Sequence, residues 1–207
     1  MYETEEQQVE ALKKWWKENG KSIIAGIVLG LAGVLGWRAW GDHQDNVASQ
    51  ASNIFDQLVV SVDMGNAESA AKQTQTLHQE YGSTPYSGFA ELMQARLHYE
   101  KGDGAAAAAA LEQAIAKAPD EALKAIAVLR LARLRVATGE LDGAEAVLQQ
   151  YPVPASFNGE YAAIRGDIAV GRGDTAAARS AYQQALAEQA GNADLVQLKL
   201  ENLPPAS

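Results

Sequence analysis

The stretch from Ser22 to Trp37, SIIAGIVLGLAGVLGW, carries no charged residue between Lys21 and Arg38, and it is the only such stretch in the chain. A run of this kind fits either a helix that crosses a bilayer or a helix buried on all sides in a soluble domain. As a helix it reaches about 24 Å, and the snorkelling stems of Lys21 and Arg38 extend it toward a hydrocarbon core of about 30 Å. Gly26, Gly30, Gly33 and Gly36 separate the two possibilities. Each costs about 1 kcal/mol relative to Ala in a water-exposed helix, whereas membrane spans use glycine freely. Residues 21–40 are therefore expected to form a single transmembrane helix, with Trp37 and Trp40 in the place of an interfacial aromatic belt.

Orientation follows from the basic residues on either side. Lys13, Lys14, Lys17 and Lys21 precede the span, and after Arg38 the next basic residue is Lys72. The positive-inside rule puts the N-terminus in the cytoplasm and everything after Trp40 outside it. A cleaved signal peptide is the rival, because Ala39-Trp40-Gly41 resembles a small-x-small cleavage site. Arg38, the two bulky tryptophans and a long, acid-rich leader oppose cleavage. Gly26, Gly30 and Gly33 share one helix face, which would allow another membrane helix to approach closely; the alternative is ordinary glycine use in a span. Ahead of the span, residues 1–20 form an expected amphipathic cytoplasmic leader, with Val9, Leu12 and Trp16 on one face and Trp15 beside them. Asn19-Gly20 is expected to stop that helix and turn the chain into the bilayer. A solvated leader whose lysines only fix topology is the plainer alternative.

Charge is distributed unevenly. Up to Trp40 five basic residues balance five acidic ones, while residues 41–207 hold twelve basic and twenty-one acidic. An acidic exported domain is a poor binder of nucleic acid or anionic lipid, which leaves proteins as partners. The absence of cysteine excludes disulfides and thiol catalysis. His43, His78 and His98 lie far apart without ligand spacing, so structural or solvated roles are expected of them. No nucleophile elbow, phosphate loop or dinucleotide fingerprint occurs. No enzymatic activity, cofactor or metal is expected.

From Asp45 to Asn202 the chain is rich in Ala, Leu and Gln with little alternation, which reads as all-α. Glycine followed by a polar residue recurs at Gly65, Gly102, Gly139 and Gly173, at spacings near those of helical repeats. Ala70, Ala107, Ala144 and Ala178 follow at the same offset, then Thr74, Leu111, Leu148 and Tyr182, then Leu77, Ala114, Tyr151 and Ala185. This is a helix, a glycine turn, and a second helix whose small residue allows close packing. Asp103 and Asp174 suit N-caps, and Thr84-Pro85 suits a cap followed by Pro at the first helical position. Pro85, Pro119 and the Pro152/Pro154 pair punctuate the units. The six alanines from Ala105 to Ala110 open a second helix. Such units bury their apolar faces only by stacking. Residues 41–207 are thus expected to hold about four helix pairs plus a C-terminal helix.

The register of Gly, Ala, large apolar residue and Ala resembles the tetratricopeptide repeat, best in GDIAVGRGDTAAARSAYQQA from Gly166 to Ala185. Joined to the anchor NGKSIIAGIVLGLAGVLGWRAWGDHQ and the block LKAIAVLRLARLRVATGELDGAEAVL, it makes the whole chain resemble the bacterial ancillary subunits of the Sec translocon. That resemblance implies a single-span inner-membrane protein with a periplasmic tetratricopeptide-like domain. The partners it implies are the translocon, a membrane-anchored periplasmic chaperone of the prolyl-isomerase type, and exported clients. In such stacks the first helix of each pair lines the binding groove, which makes Phe55, Val59, Phe89, Leu92, Arg96, Tyr99, Leu129 and Arg133 the groove candidates. Arg96 and Arg133 occupy equivalent places in consecutive units and together could clamp a carboxylate. The alternative has them paired with local acids and the aromatics packed between helices. A membrane-anchored adaptor is the leading function; a regulatory protein whose cytoplasmic leader controls a soluble partner is the other.

Overall fold

The computed structural model describes residues 5–152 and 154–204. The first four residues of the expected leader, and the last three of the expected repeat domain, lie outside the described residues. Among those described there are nine α-helices, one 3-10 turn at Ala155–Phe157 and no strand. The helices are α1 (Glu5–Asp63), α2 (Ala67–Glu80), α3 (Tyr86–Glu100), α4 (Gly104–Lys117), α5 (Glu121–Ala137), α6 (Leu141–Gln150), α7 (Asn158–Gly171), α8 (Thr175–Ala187) and α9 (Ala193–Glu201). They divide into two compact units, Met1–Ser49 and Gln50–Ser207.

The first unit is the greater part of α1. The expected stop at Asn19-Gly20 does not occur, and from Glu5 onward the expected leader and the expected span lie in one continuous helix. Glycine ends a helix by entering the left-handed region, and Gly20 is not among the glycines with positive φ. The Asn19 side chain donates back to the Trp15 carbonyl at 3.0 Å, along the helix, and so does not cap it. The Trp16 indole lies over Gly20, about as close as a side chain there would tolerate. α1 is long and apolar enough to cross a membrane, and no part of its most apolar window is buried. Leu29, Leu31 and Leu35 all stand exposed, unlike the side chains of a core helix in a soluble domain.

In the second unit the end of α1 pairs with α2 through Leu58, Val62, Ala70 and Leu77, and α3 with α4, α5 with α6 and α7 with α8 follow, α9 closing the series. This is an α-solenoid of tetratricopeptide-like pairs. The four turn glycines adopt φ of 67°, 78°, 81° and 77°. That conformation lets the next residue's N–H return to the last turn of the first helix, as in Asp103 to the His98 carbonyl and Asp174 to the Ala169 carbonyl, each at 2.9 Å. Asn66, Asp103 and Asp174 then cap the second helices by accepting from Ser69, Ala106 and Ala177 N–H. Glu140 breaks the series: its carboxylate accepts from the Thr138 hydroxyl and makes no cap. Thr84 is not a cap either. Its hydroxyl donates to the Tyr81 carbonyl at 2.7 Å, and α3 begins after Pro85. Asp120 caps α5 through Leu123 N–H at 2.7 Å.

The small-residue positions pack as the register requires: Ala70, Ala107, Ala144 and Ala178 are all buried. At the C-terminal end the Tyr182 ring lies directly over Gly166, where no Cβ fits. Its hydroxyl donates to Asp167 at 2.7 Å, and Lys199 of α9 reaches the same carboxylate at 2.7 and 2.8 Å. One acid therefore fastens α7, α8 and α9 together.

Candidate functional site

The first helices of successive pairs lie against one another, α3 on α5 and α5 on α7. On α3 the stripe Leu92, Ala95, Arg96, Tyr99 follows the helical period, and on α5 so does Arg130, Arg133, Leu134, Ala137. These two stripes, with Ala107 and Leu111 of α4 as the floor, line an open cavity of about 520 Å³. Four of the candidates read from sequence, Leu92, Arg96, Tyr99 and Arg133, meet here. Leu92 is buried and belongs to the wall, whereas Tyr99 is exposed at the rim.

The two candidate arginines differ in what they touch. Arg96 is ion-paired to Asp63 at 3.0 Å and to Glu100 at 2.7 Å. The hydrogen bond that Arg96 donates to Glu100, and then the charge of Glu100, raise the Arg96 pKa above the ordinary value. Arg96 thus lines the same cavity as Arg133 but is held by local acids, as the alternative to a clamp has it. Arg133 instead shares its helix face with Arg130, three residues earlier. Both side chains are exposed; partial desolvation lowers the Arg133 pKa, Glu160 and Asp167 oppose that shift, and Arg130 adds to it.

The other candidates fall elsewhere. Leu129 is 2% exposed and sits in the central core, so it lines no groove. One residue turns a helix by about 100°, and that step separates Leu129 from Arg130. Phe55 and Phe89 have ring centroids 6.1 Å apart and share a cluster with Tyr86, which lies 5.5 Å from Phe55. They pack α1 on α3 with the Phe89 edge exposed, and Val59 is half-buried close by in sequence. Gly26, Gly30 and Gly33 have open space where a Cβ would stand, so that face of α1 is bare in the single chain.

Two residues that pattern reading passed over matter here. Arg130 was accessible to it, because three residues before Arg133 is the same helix face. The other is Glu91, buried among α2, α3 and α4. It accepts from Lys117 at 3.0 Å and lies 3.2 Å from His78 Nε2, which is also 3.2 Å from the Ser87 carbonyl. Lys117 Nζ stands 3.3 Å from His78 Nδ1. An ammonium only donates, so Nδ1 accepts and the Nε2–H tautomer is in place. His78 and His98, read as isolated, line one cavity of about 590 Å³ beside Glu91. No motif in the sequence signals this polar staple, which joins residues from three helices.

The chain matches the family model described as a tetratricopeptide repeat-like domain over residues 13–205. It is 40% identical over 202 residues to an ancillary SecYEG translocon subunit of Haemophilus influenzae, covering 96% of this chain and 97% of that one. The chain belongs to the ancillary SecYEG translocon subunit family. The protein of the same description from Escherichia coli is 34% identical over 210 residues, with 98% of each chain covered. That from Aggregatibacter actinomycetemcomitans is also 34% identical, over 96% of this chain and 97% of its own. No solved structure matches the chain. Because these matches run nearly end to end, they take in the apolar helix as well as the repeats, and the family is one of both parts joined.

Proposed function

We propose that this protein is a membrane-anchored adaptor of the Sec translocon, without catalytic activity of its own. The observation that carries the reading is the joining of one uncovered apolar helix to a stack of tetratricopeptide-like pairs, matched nearly end to end by proteins described as ancillary translocon subunits. Residues 21–40 cross the inner membrane with the leader in the cytoplasm and residues 41–207 in the periplasm, as four lysines before the span and one arginine after it favour. The bare face of Gly26, Gly30 and Gly33 takes another membrane helix, since small residues there let backbones approach closely. The repeat unit offers the face of its first helices, from Phe55, Val59 and Phe89 to Leu92, Arg96, Tyr99 and Arg133, to a polypeptide partner. Its acidity favours proteins over nucleic acid or anionic lipid. The family resemblance adds the partners: the translocon, a membrane-anchored prolyl-isomerase-type chaperone, and exported clients. A reporter active only outside the cytoplasm, fused after Ser207, should be active, and the translocon should co-isolate with the full-length protein from mildly solubilised membranes. An inactive fusion overturns the topology, and a translocon that does not co-isolate overturns the adaptor role.

A further inference from the structure

The cavity between α3 and α5 is lined by two exposed arginines, Arg130 and Arg133, that have no ion-pair partner among the described residues. Among the described residues no carboxylate lies within ion-pair distance of Arg130 or Arg133, in a region with twenty-one acidic residues. The other arginine of α5, Arg135, faces away and is taken by Glu112 at 3.2 Å and the Gly143 carbonyl at 3.1 Å. Across the cavity, Arg96 is taken by Asp63 and Glu100. The acids whose charges reach Arg133 have nearer partners of their own, Asp167 in Tyr182 and Lys199, and Glu160 in the Gly191 N–H at 2.8 Å, and neither forms an ion pair with it. Two like charges on one helix face repel. Leu92, Leu111 and Leu134, all buried, line the same cavity, so the site offers an apolar bed beside two cations without an ion pair.

We infer that this cavity receives an acidic segment of a partner polypeptide, with one carboxylate between Arg130 and Arg133 and an adjacent apolar side chain on Leu92, Leu111 and Leu134. Charge complementarity selects the acid, and two planar guanidinium forks present more donors to it than two ammonium groups would. A volume of about 520 Å³ suits one or two side chains and is lined mainly by apolar atoms, which favours a peptide over a lipid headgroup or a nucleic acid. The inference rests on the adaptor reading and specifies what the adaptor holds.

The test uses the full-length protein in nanodiscs of zwitterionic lipid and a short fluorescent peptide of alternating Leu and Glu, titrated by anisotropy. The Arg130→Gln/Arg133→Gln variant should bind at least about tenfold more weakly. The Arg130→Lys/Arg133→Lys variant should recover part of that loss. Lys72→Gln/Lys101→Gln, the same change of charge at exposed sites elsewhere, should bind as the unaltered protein does. Peptides with Gln for Glu, or Ser for Leu, should bind more weakly to the unaltered protein. The inference is overturned if the arginine variant binds normally, if both charge variants weaken alike, if the Gln peptide binds as well as the Glu peptide, or if discs of anionic lipid displace the peptide. It is equally overturned if the unaltered protein ignores the peptide while still co-isolating with the translocon, an outcome that leaves the adaptor reading standing. Loss of co-isolation with peptide binding intact does the reverse.

Discussion

Replacing Gly166 with Ala should open the C-terminal pair of the stack. A methyl group there would stand 2.3 Å from Cε1 and 2.4 Å from Cδ1 of Tyr182, where ordinary contact begins at 3.4 Å, so ring and helix must separate by about 1 Å. The ring has nowhere to go. It is 2% exposed, and its hydroxyl is tied to Asp167, which Lys199 holds from the other side. Overpacking costs about 1–3 kcal/mol, and a lost hydrogen bond to a charged group adds about 1.5–3 kcal/mol. Against this, Ala is a better helix former than Gly by about 1 kcal/mol. The net expectation is a loss of about 2–4 kcal/mol. Fluorescence is the wrong assay, because all four tryptophans, Trp15, Trp16, Trp37 and Trp40, lie in α1. Amide hydrogen exchange on the full-length protein reports on α7 and α8 directly, and their slowest amides should exchange about thirty- to a thousandfold faster in the variant. Adding Tyr182→Ala to Gly166→Ala should cost less than the sum of the two changes, since the ring that clashes is then absent. Unchanged or slower exchange in Gly166→Ala would show that helix propensity wins and that the ring does not rest on this glycine.

Ala178 is fully buried where α7 and α8 touch, so Ala178→Leu should lower stability by about 1–3 kcal/mol in chemical denaturation followed by circular dichroism, and an unaltered midpoint would place the contact elsewhere. Tyr182 has its pKa pushed above the ordinary 10, first by burial and then by the hydrogen bond and charge of Asp167. The folded state therefore keeps a proton that the unfolded state releases sooner, so stability is full below pH 10 and falls as pH climbs above it. Tyr182→Phe should be less stable near neutral pH by about 1.5–3 kcal/mol and lose less on alkalinisation than the unaltered protein. Equal alkaline slopes would contradict the assignment. Tyr161, also shifted upward by burial, acts in the same direction.

What the sequence made legible was what depends on one residue's own conformation or on a strict period. Gly65, Gly102, Gly139 and Gly173 mark their turns because only glycine enters the left-handed region without cost. The alanines at a fixed offset mark the close contacts between paired helices, and the uncharged run from Ser22 marks the part of α1 apolar enough to cross a membrane. Asn19-Gly20 shows the limit of such signals. The pair permits a helix stop, but Lys17, Glu18 and Lys21 beside it are good helix formers, and Asn19 has a partner within the helix. Partners far apart in sequence were not legible. That Arg96 is held by Asp63 while Arg133 is left with Arg130 depends on how α1, α3 and α5 stack, and Leu129 differs from Arg130 only by the turn of one residue. The staple of His78, Glu91 and Lys117 is of the same kind: three residues on three helices, with no spacing to announce them.

Tyr99, exposed at the rim of the cavity and 58% accessible, is the position from which the adaptor role can be read most directly. A photoreactive amino acid at Tyr99 of the full-length protein, activated in intact cells, should yield adducts with translocon subunits or with proteins that carry export signals, and the same probe at exposed Lys72 should yield far fewer. Adducts with cytoplasmic proteins alone, or equal labelling from the two positions, would contradict a periplasmic repeat unit that holds its partners on the face of its first helices.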